Sequence, residues 1–170
     1  MNRERGLTET TLMYLCRNDE ICLAEKQKKI GAGKLNGVGG KLEPGETPRQ
    51  AAVREAVEEI GVRPTVYKKM AELSFHNEYN GEDVIDLQHQ LCHVYVATEW
   101  EGEPTETAEM KIPSWHKIDS LPFERMLPDD QEWLPRILSG IAIKASFAFD
   151  KDWNIISQEI NEVEAFDEAV

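Results

Sequence analysis

The sequence predicts an α/β domain, a mixed β-sheet sandwiched between α-helices (α/β/α). Three observations carry this. Short runs suited to strands recur along most of the chain, at least two helical segments are needed beside them, and one helix near residue 50 has clear start and stop signals. At 170 residues the chain is read as one domain, 1–170, with a core over about 8–160 and an acidic tail over about 161–170.

The elements follow in order. Thr11–Arg17 and Glu20–Lys26 are strand-like, with Asn18-Asp19 as a hairpin turn. Residues 28–40, KKIGAGKLNGVGG, form a loop rich in glycine and lysine. Thr47 is a good N-cap, Pro48 fits the first helical position, and Gln50 stands where a capping-box partner belongs. That helix runs to about Ile60 and stops at Gly61, which tolerates the left-handed conformation. Thr65–Phe75 reads as a strand and Asn77–Asp83 as a polar turn. Val84–Thr98 reads as a long strand, apolar enough at its centre to be covered on both faces. After an acidic loop, Ile112–Ile118 is a further strand carrying Trp115, and residues 119–128 are irregular. Asp129–Ser139 is a second helix, with Asp129 as N-cap, Glu132 three residues on, and Trp133 in the core. Ile143–Asp150 and Asn154–Ile160 suit a closing hairpin around Asp150-Lys151-Asp152.

Composition narrows the function. The chain has 19 basic and 32 acidic residues and a net charge of −13, which argues against a nucleic-acid polymer as partner. A small polyphosphate remains possible if a divalent cation bridges it to acidic groups. No apolar run approaches a membrane span, and the first ten residues lack the apolar segment of a secretory signal, so a cytoplasmic protein is expected. Cys16, Cys22 and Cys92 have no metal-ligand spacing and are expected to be reduced. His76, His89, His93 and His116 are read as ordinary residues. The final NEVEAFDEAV is expected to be a solvated, poorly ordered end.

Wound at about 100° per residue, the first helix splits into two faces. Ala52, Val53, Ala56, Val57 and Ile60 form one arc; Glu55, Glu58 and Glu59 form the other, with Arg54 at its edge. Like charges three and four residues apart repel. A solvated acidic face is the ordinary explanation. The alternative is a hard divalent cation held among carboxylate oxygens. The preceding Gly-rich loop, the Pro44-Gly45 turn and Glu46 favour the cation.

The spacing carries a family resemblance. Gly40, five residues, Glu46, seven residues, Arg54-Glu55, an apolar residue, one residue, Glu58-Glu59, one residue, Gly61 and an apolar residue reproduce the complete Nudix box. The chain resembles the Nudix hydrolases at every defined position, with Ala56 smaller than the usual apolar residue. The segments GAGKLNGVGGKLEPGET, EMKIPSW and LPFERMLPDDQEW, followed by a C-terminal hairpin, resemble the MutT-homologue branch, the oxidised purine nucleoside triphosphatases. The likeness covers roughly residues 11–160.

The resemblance implies the Nudix fold and Mg²⁺-dependent attack of water on a nucleoside triphosphate, with Mn²⁺ as a substitute. The products would be a monophosphate and pyrophosphate, and 8-oxo-dGTP the expected substrate. It implies metal binding by Glu55, Glu58, Glu59, Glu109 and Gly40, with one of the three helix glutamates as base. The backbone of Gly39 and Gly40 would approach the phosphates, where a Cβ would crowd them. Asn36, Asp129 and Asp130 would read the base, and Thr11, Lys26 and Phe75 would line its pocket. Glu46 would pair with Arg54 as structural support. A monomer acting on a small nucleotide is expected. Taken singly, these residues have ordinary explanations: a turn for Asn36, a helix cap for Asp129, core for Phe75 and a loop acid for Glu109.

Two departures bear on substrate. Leu127 and Leu35 stand where a mammalian member of the branch has tryptophans, and residues 77–88 make a longer segment. ADP-ribose, another dinucleotide or a broad set of NTPs is the alternative substrate class. A silent nucleotide-binding module is a third reading, and the intact set of glutamates speaks against it.

Overall fold

The computed structural model of the chain describes residues 6–27, 32–77 and 89–168. Its elements are β1 (Thr8–Arg17), β2 (Glu20–Lys26), β3 (Leu35–Asn36), α1 (Pro48–Ile60), β4 (Arg63–Asn77), β5 (His89–Glu101), β6 (Met110–Lys117), α2 (Asp130–Leu138), β7 (Ala142–Phe149) and β8 (Ile155–Val163). The expected polar turn over residues 77–83 and the first part of the expected long strand fall largely outside the described residues, as does the start of the Gly- and Lys-rich loop.

The strands run in the order β3-β2-β1-β5-β4-β7-β8, with β6 paired to β2. β1 is parallel to β5 and β4 to β7, while β4–β5 and β7–β8 are antiparallel, so the sheet is mixed. Alternation along each strand sends neighbours to opposite faces. On one face Tyr14, Leu23, Leu73 and Val94 pack with Trp133, Leu134 and Ile137 of α2. On the other, Met13, Leu15, Cys22 and Tyr95 pack with Ala52, Ala56 and Ile60 of α1. The α/β/α sandwich expected from the sequence is therefore present.

Helix α1 begins and ends where its local signals put it. Thr47 Oγ1 accepts from Gln50 N–H at 3.2 Å, and Gln50 Oε1 accepts from Thr47 N–H at 3.0 Å. Gly61 closes the helix at φ +71°. The buried face is a different matter. It comprises Ala51, Ala52, Glu55, Ala56, Glu59 and Ile60, while Val57 is exposed. The helix is thus rotated from the expected apolar arc. Two small alanines let it lie close to the sheet, and that approach takes two glutamates inside with it.

Two further expectations are corrected. Asp129 is not a side-chain N-cap: its backbone is helical, and its Oδ2 accepts from the buried Trp133 indole at 2.8 Å. The demand of a buried N–H for a partner outweighs capping. The acidic tail is not simply solvated. β8 continues to Val163, Phe166 packs against the core, and Glu168 accepts from the Tyr95 hydroxyl at 2.6 Å. Buried Lys69 lies 3.7 Å from Glu168, so the tail supplies charge and acceptors to a polar site on the sheet. Apart from any ligand, the protein's own packing also calls for glycine at 39 and 40. A Cβ at Gly39 would collide with the Thr11 carbonyl oxygen, and one at Gly40 with the Glu55 carboxylate.

Candidate active site

Much of β1 forms no ladder with β2, since that pairing is confined to Cys16↔Ile21 and Arg17↔Glu20. Residues 38–42 take the vacant edge. Thr11 N–H donates to Gly40 O at 2.9 Å, Val38 N–H to Met13 O at 3.1 Å, and Leu42 N–H to Glu9 O at 3.1 Å. Gly39 permits this close lie, and Gly40 is left directly beneath α1. Behind α1, the loop before β6 is tied to the helix end: Thr105 N–H donates to Ile60 O at 3.0 Å and Thr107 Oγ1 to Glu59 O at 2.7 Å. Glu109 N–H donates in turn to Thr107 Oγ1 at 3.3 Å, which brings a fourth carboxylate to the same place.

These segments border a cavity of about 920 Å³. Thr11, Lys26, Asn36, Gly39, Gly40, Arg54, Glu55, Glu58, Glu59, Phe75, Glu109, Asp129 and Asp130 all line it, so the separate candidates of the sequence reading meet in one space. Glu46 lies behind Arg54, gripped by two parallel bonds, Nε to Oε1 at 2.8 Å and Nη2 to Oε2 at 3.0 Å.

The acidic group is electrostatically tense. Burial raises the Glu55 carboxyl, against the pull of Arg54, and Glu58 and Glu109 add to the rise. Burial and then the Glu55 charge push Glu59 up to about 8, although Gly39 N–H donates to its Oε2 at 3.3 Å. Among the described residues no three acidic, histidine or cysteine side chains converge as a ready-made metal cage. The four glutamates line one cavity without converging on a single point. Arg54 Nη1 takes Glu55 Oε1 at 2.9 Å and Glu58 Oε2 at 3.2 Å, and so supplies the positive charge that holds them where they are. The donor chemistry itself fits a hard divalent cation: four carboxylates, two of them buried and reluctant to ionise without a positive neighbour.

The second group is a polar patch beneath α2. Asn36 Oδ1 accepts from the Tyr14 hydroxyl at 2.9 Å and from Gly37 N–H at 2.8 Å. Its oxygen is thereby engaged and its amide NH₂ is the part left to donate to a ligand. Asp129 and Asp130 are both buried. Burial lifts Asp129 to about 6; burial and then the Asp129 charge lift Asp130 well above the carboxylate range. At neutral pH the pair offers one carboxylic acid O–H and one carboxylate. Thr11 Oγ1, buried in the same lining, has no hydrogen-bond partner among the described residues. Such an atom awaits a ligand or water.

Residues 6–137 match the family model described as NUDIX domain. The chain belongs to the Nudix hydrolase family. This Nudix chain is 37% identical over 155 residues to an oxidized purine nucleoside triphosphate hydrolase of Danio rerio, covering 91% of this chain and 94% of that protein. It is 34% identical over 157 residues to the protein of the same name in Mus musculus, covering 92% and 96% respectively. Its fold matches a MutT protein structure from Bacillus halodurans with a TM-score of 0.78 at 23% identity, covering 91% of this chain and 97% of that one.

Some lining residues of this Nudix hydrolase escaped the sequence reading. Leu12, Gln90, Phe149 and Trp153 also face the cavity. Tyr14 orients Asn36 from within the core, yet in sequence it is one more apolar strand residue. Cys92 lines the cavity as a buried free thiol pushed up to about 12, and so stays neutral. Among the described residues no helix is long and apolar enough to cross a membrane.

Proposed function

We propose that this chain hydrolyses nucleoside triphosphates to the monophosphate and pyrophosphate, with oxidised purine deoxynucleotides such as 8-oxo-dGTP as its preferred substrates. One observation carries the reading. A single cavity is lined both by Glu55, Glu58, Glu59 and Glu109 and by Asn36, Asp129 and Asp130. The first set suits a polyphosphate bridged by a divalent cation, and the second a purine edge. The names of the relatives from Danio rerio and Mus musculus support the same substrate class.

In this reading Glu55, Glu58, Glu59, Glu109 and the Gly40 carbonyl hold a divalent cation, Mg²⁺ or in its place Mn²⁺. Such an ion would neutralise phosphate charge and acidify bound water. Arg54 keeps Glu46 and the Pro44-Gly45 turn registered against α1, and its bonds to Glu55 and Glu58 are the ones an arriving cation would replace. One of the three helix glutamates, Glu55, Glu58 or Glu59, takes the proton from the attacking water. Lys26, whose charge acts on Glu59, contributes positive charge to the same lining. On the base side, the Asn36 amide donates and Asp129 with Asp130 accept and donate, so a purine edge altered by oxidation is distinguished from its parent by hydrogen-bond count. Thr11 Oγ1 and Phe75 complete that pocket. The protein acts as a cytoplasmic monomer on free nucleotides, in keeping with a net charge of −13.

The deciding experiment is kcat/KM for 8-oxo-dGTP, 2-oxo-dATP, dGTP and ADP-ribose with Mg²⁺ at slightly alkaline pH. The oxidised purines should lead. A best substrate lacking a free triphosphate end would overturn the reading. Asn36→Ala should raise KM for the oxidised purine more than for dGTP.

A further inference from the structure

We propose that Trp153 is the stacking platform for the nucleotide base and a determinant of purine preference in this chain. The inference rests on the cavity taking a nucleotide. It goes beyond that reading by assigning a base contact to the turn between β7 and β8.

Trp153 lines the cavity and is half-buried, so its indole is neither fully packed nor free in solvent. It leans on Phe149 with ring centroids 5.9 Å apart and planes at 52°. Phe149 is stacked on Phe75, which lies against Phe147, so one continuous aromatic wall runs from β4 through β7 to the turn. The other tryptophans are committed elsewhere. Trp133 is fully buried with its indole N–H on Asp129, and Trp100 stacks on Trp115. Leu127, on the same lining, is aliphatic. Trp153 is thus the tryptophan on this lining with surface left to offer a ligand.

The backbone is informative too. Trp153 sits at φ +63°, a region costly for a bulky side chain and natural for glycine or asparagine. The turn is heavily braced around it. Trp153 N–H donates to Asp150 O at 3.1 Å, and Asp150 Oδ1 accepts from Asp152 N–H at 2.8 Å and Asn154 N–H at 2.9 Å. A hairpin needing only to reverse the chain has no use for an indole at this position. One strained there, its ring against the aromatic wall of a nucleotide-sized cavity, has the geometry of a stacking surface.

The test is calorimetric binding of 8-oxo-dGMP, which needs no turnover, to the wild-type chain, Trp153→Leu and Trp153→Phe. Trp153→Leu should weaken binding about tenfold, and Trp153→Phe should retain most of the affinity, because a phenyl face still stacks. Indole emission of the wild type should fall on binding, with that quenching much reduced in Trp153→Phe. Unchanged affinity in Trp153→Leu, or equal loss in both variants, overturns the inference, as does a wild-type chain that binds no purine monophosphate. Triphosphate turnover by the same preparations separates the two readings. Binding that depends on Trp153 without hydrolysis sinks the catalytic reading alone.

Discussion

Gly40 lies so close under Glu55 that a Cβ built on it would stand 2.4 Å from Oε1 of the carboxylate. Its neighbour Gly39 faces backbone instead, with a Cβ 1.7 Å from the Thr11 carbonyl oxygen. The two glycines therefore fail differently. Gly40→Ala moves only the end of a side chain and should fold, but it displaces Glu55, with an expected loss of activity of about tenfold or more. Gly39→Ala must separate residues 38–42 from β1 and should destabilise the fold by about 3 kcal/mol or more. Urea unfolding beside steady-state kinetics would check this; equal behaviour of the two variants would contradict it.

Glu58 is the exposed one of the three helix glutamates, and it pairs with Arg54 at 3.2 Å. Glu58→Gln should leave the unfolding midpoint within experimental error, since exposed pairs contribute little. Turnover should fall by about two orders of magnitude or more. Full activity in this variant would remove the helix carboxylates from the proposed chemistry.

Cation binding should release protons. With Glu59 raised to about 8, the carboxyl is largely protonated at pH 7, and only its ionised form is a ligand for a hard cation. Mg²⁺ affinity should therefore climb as pH rises toward about 8 and level off above it. Calorimetry in two buffers of different ionisation heat would count the released protons. A heat independent of buffer at pH 7 would show that Glu59 does not ionise on binding.

The aspartate pair makes an opposite demand on stability. Both carboxyls are harder to ionise in the folded chain than the ordinary value of 3.8, Asp129 reaching about 6 and Asp130 going higher. Folding is favoured by this pair while both are protonated, below pH about 4, and the contribution drains away as pH rises through 6 and beyond. Asp130→Asn cannot ionise and can still accept from Leu127 N–H, a bond of 3.1 Å in the wild type. This variant should lose less stability than the wild type between pH 5 and pH 8. Parallel urea midpoints across that range would refute the assignment.

The sequence by itself determined what is set by near neighbours and by spacing. The capping box of Thr47 and Gln50, the stop at Gly61, the Asn18-Asp19 turn and most of the strand segments are local events. The Nudix box is a spacing, so the family and its carboxylate set were legible before any fold. The tertiary structure alone decided which faces are covered. Helical periodicity put Val57 inside and Glu59 outside, but the helix seats on Ala52 and Ala56 and turns Glu55 and Glu59 inward. Asp129 has a cap's sequence signature, yet an indole four residues on takes its carboxylate. Glu168 reads as a frayed acidic end until Tyr95 and Lys69, distant in sequence, offer it partners. Trp153 follows the Asp150-Lys151-Asp152 turn with no signal of its own until Phe149, itself stacked on Phe75, stands beside it. In each case the deciding interaction joins side chains whose meeting depends on packing, and neither short-range propensity nor spacing along the chain encodes that meeting.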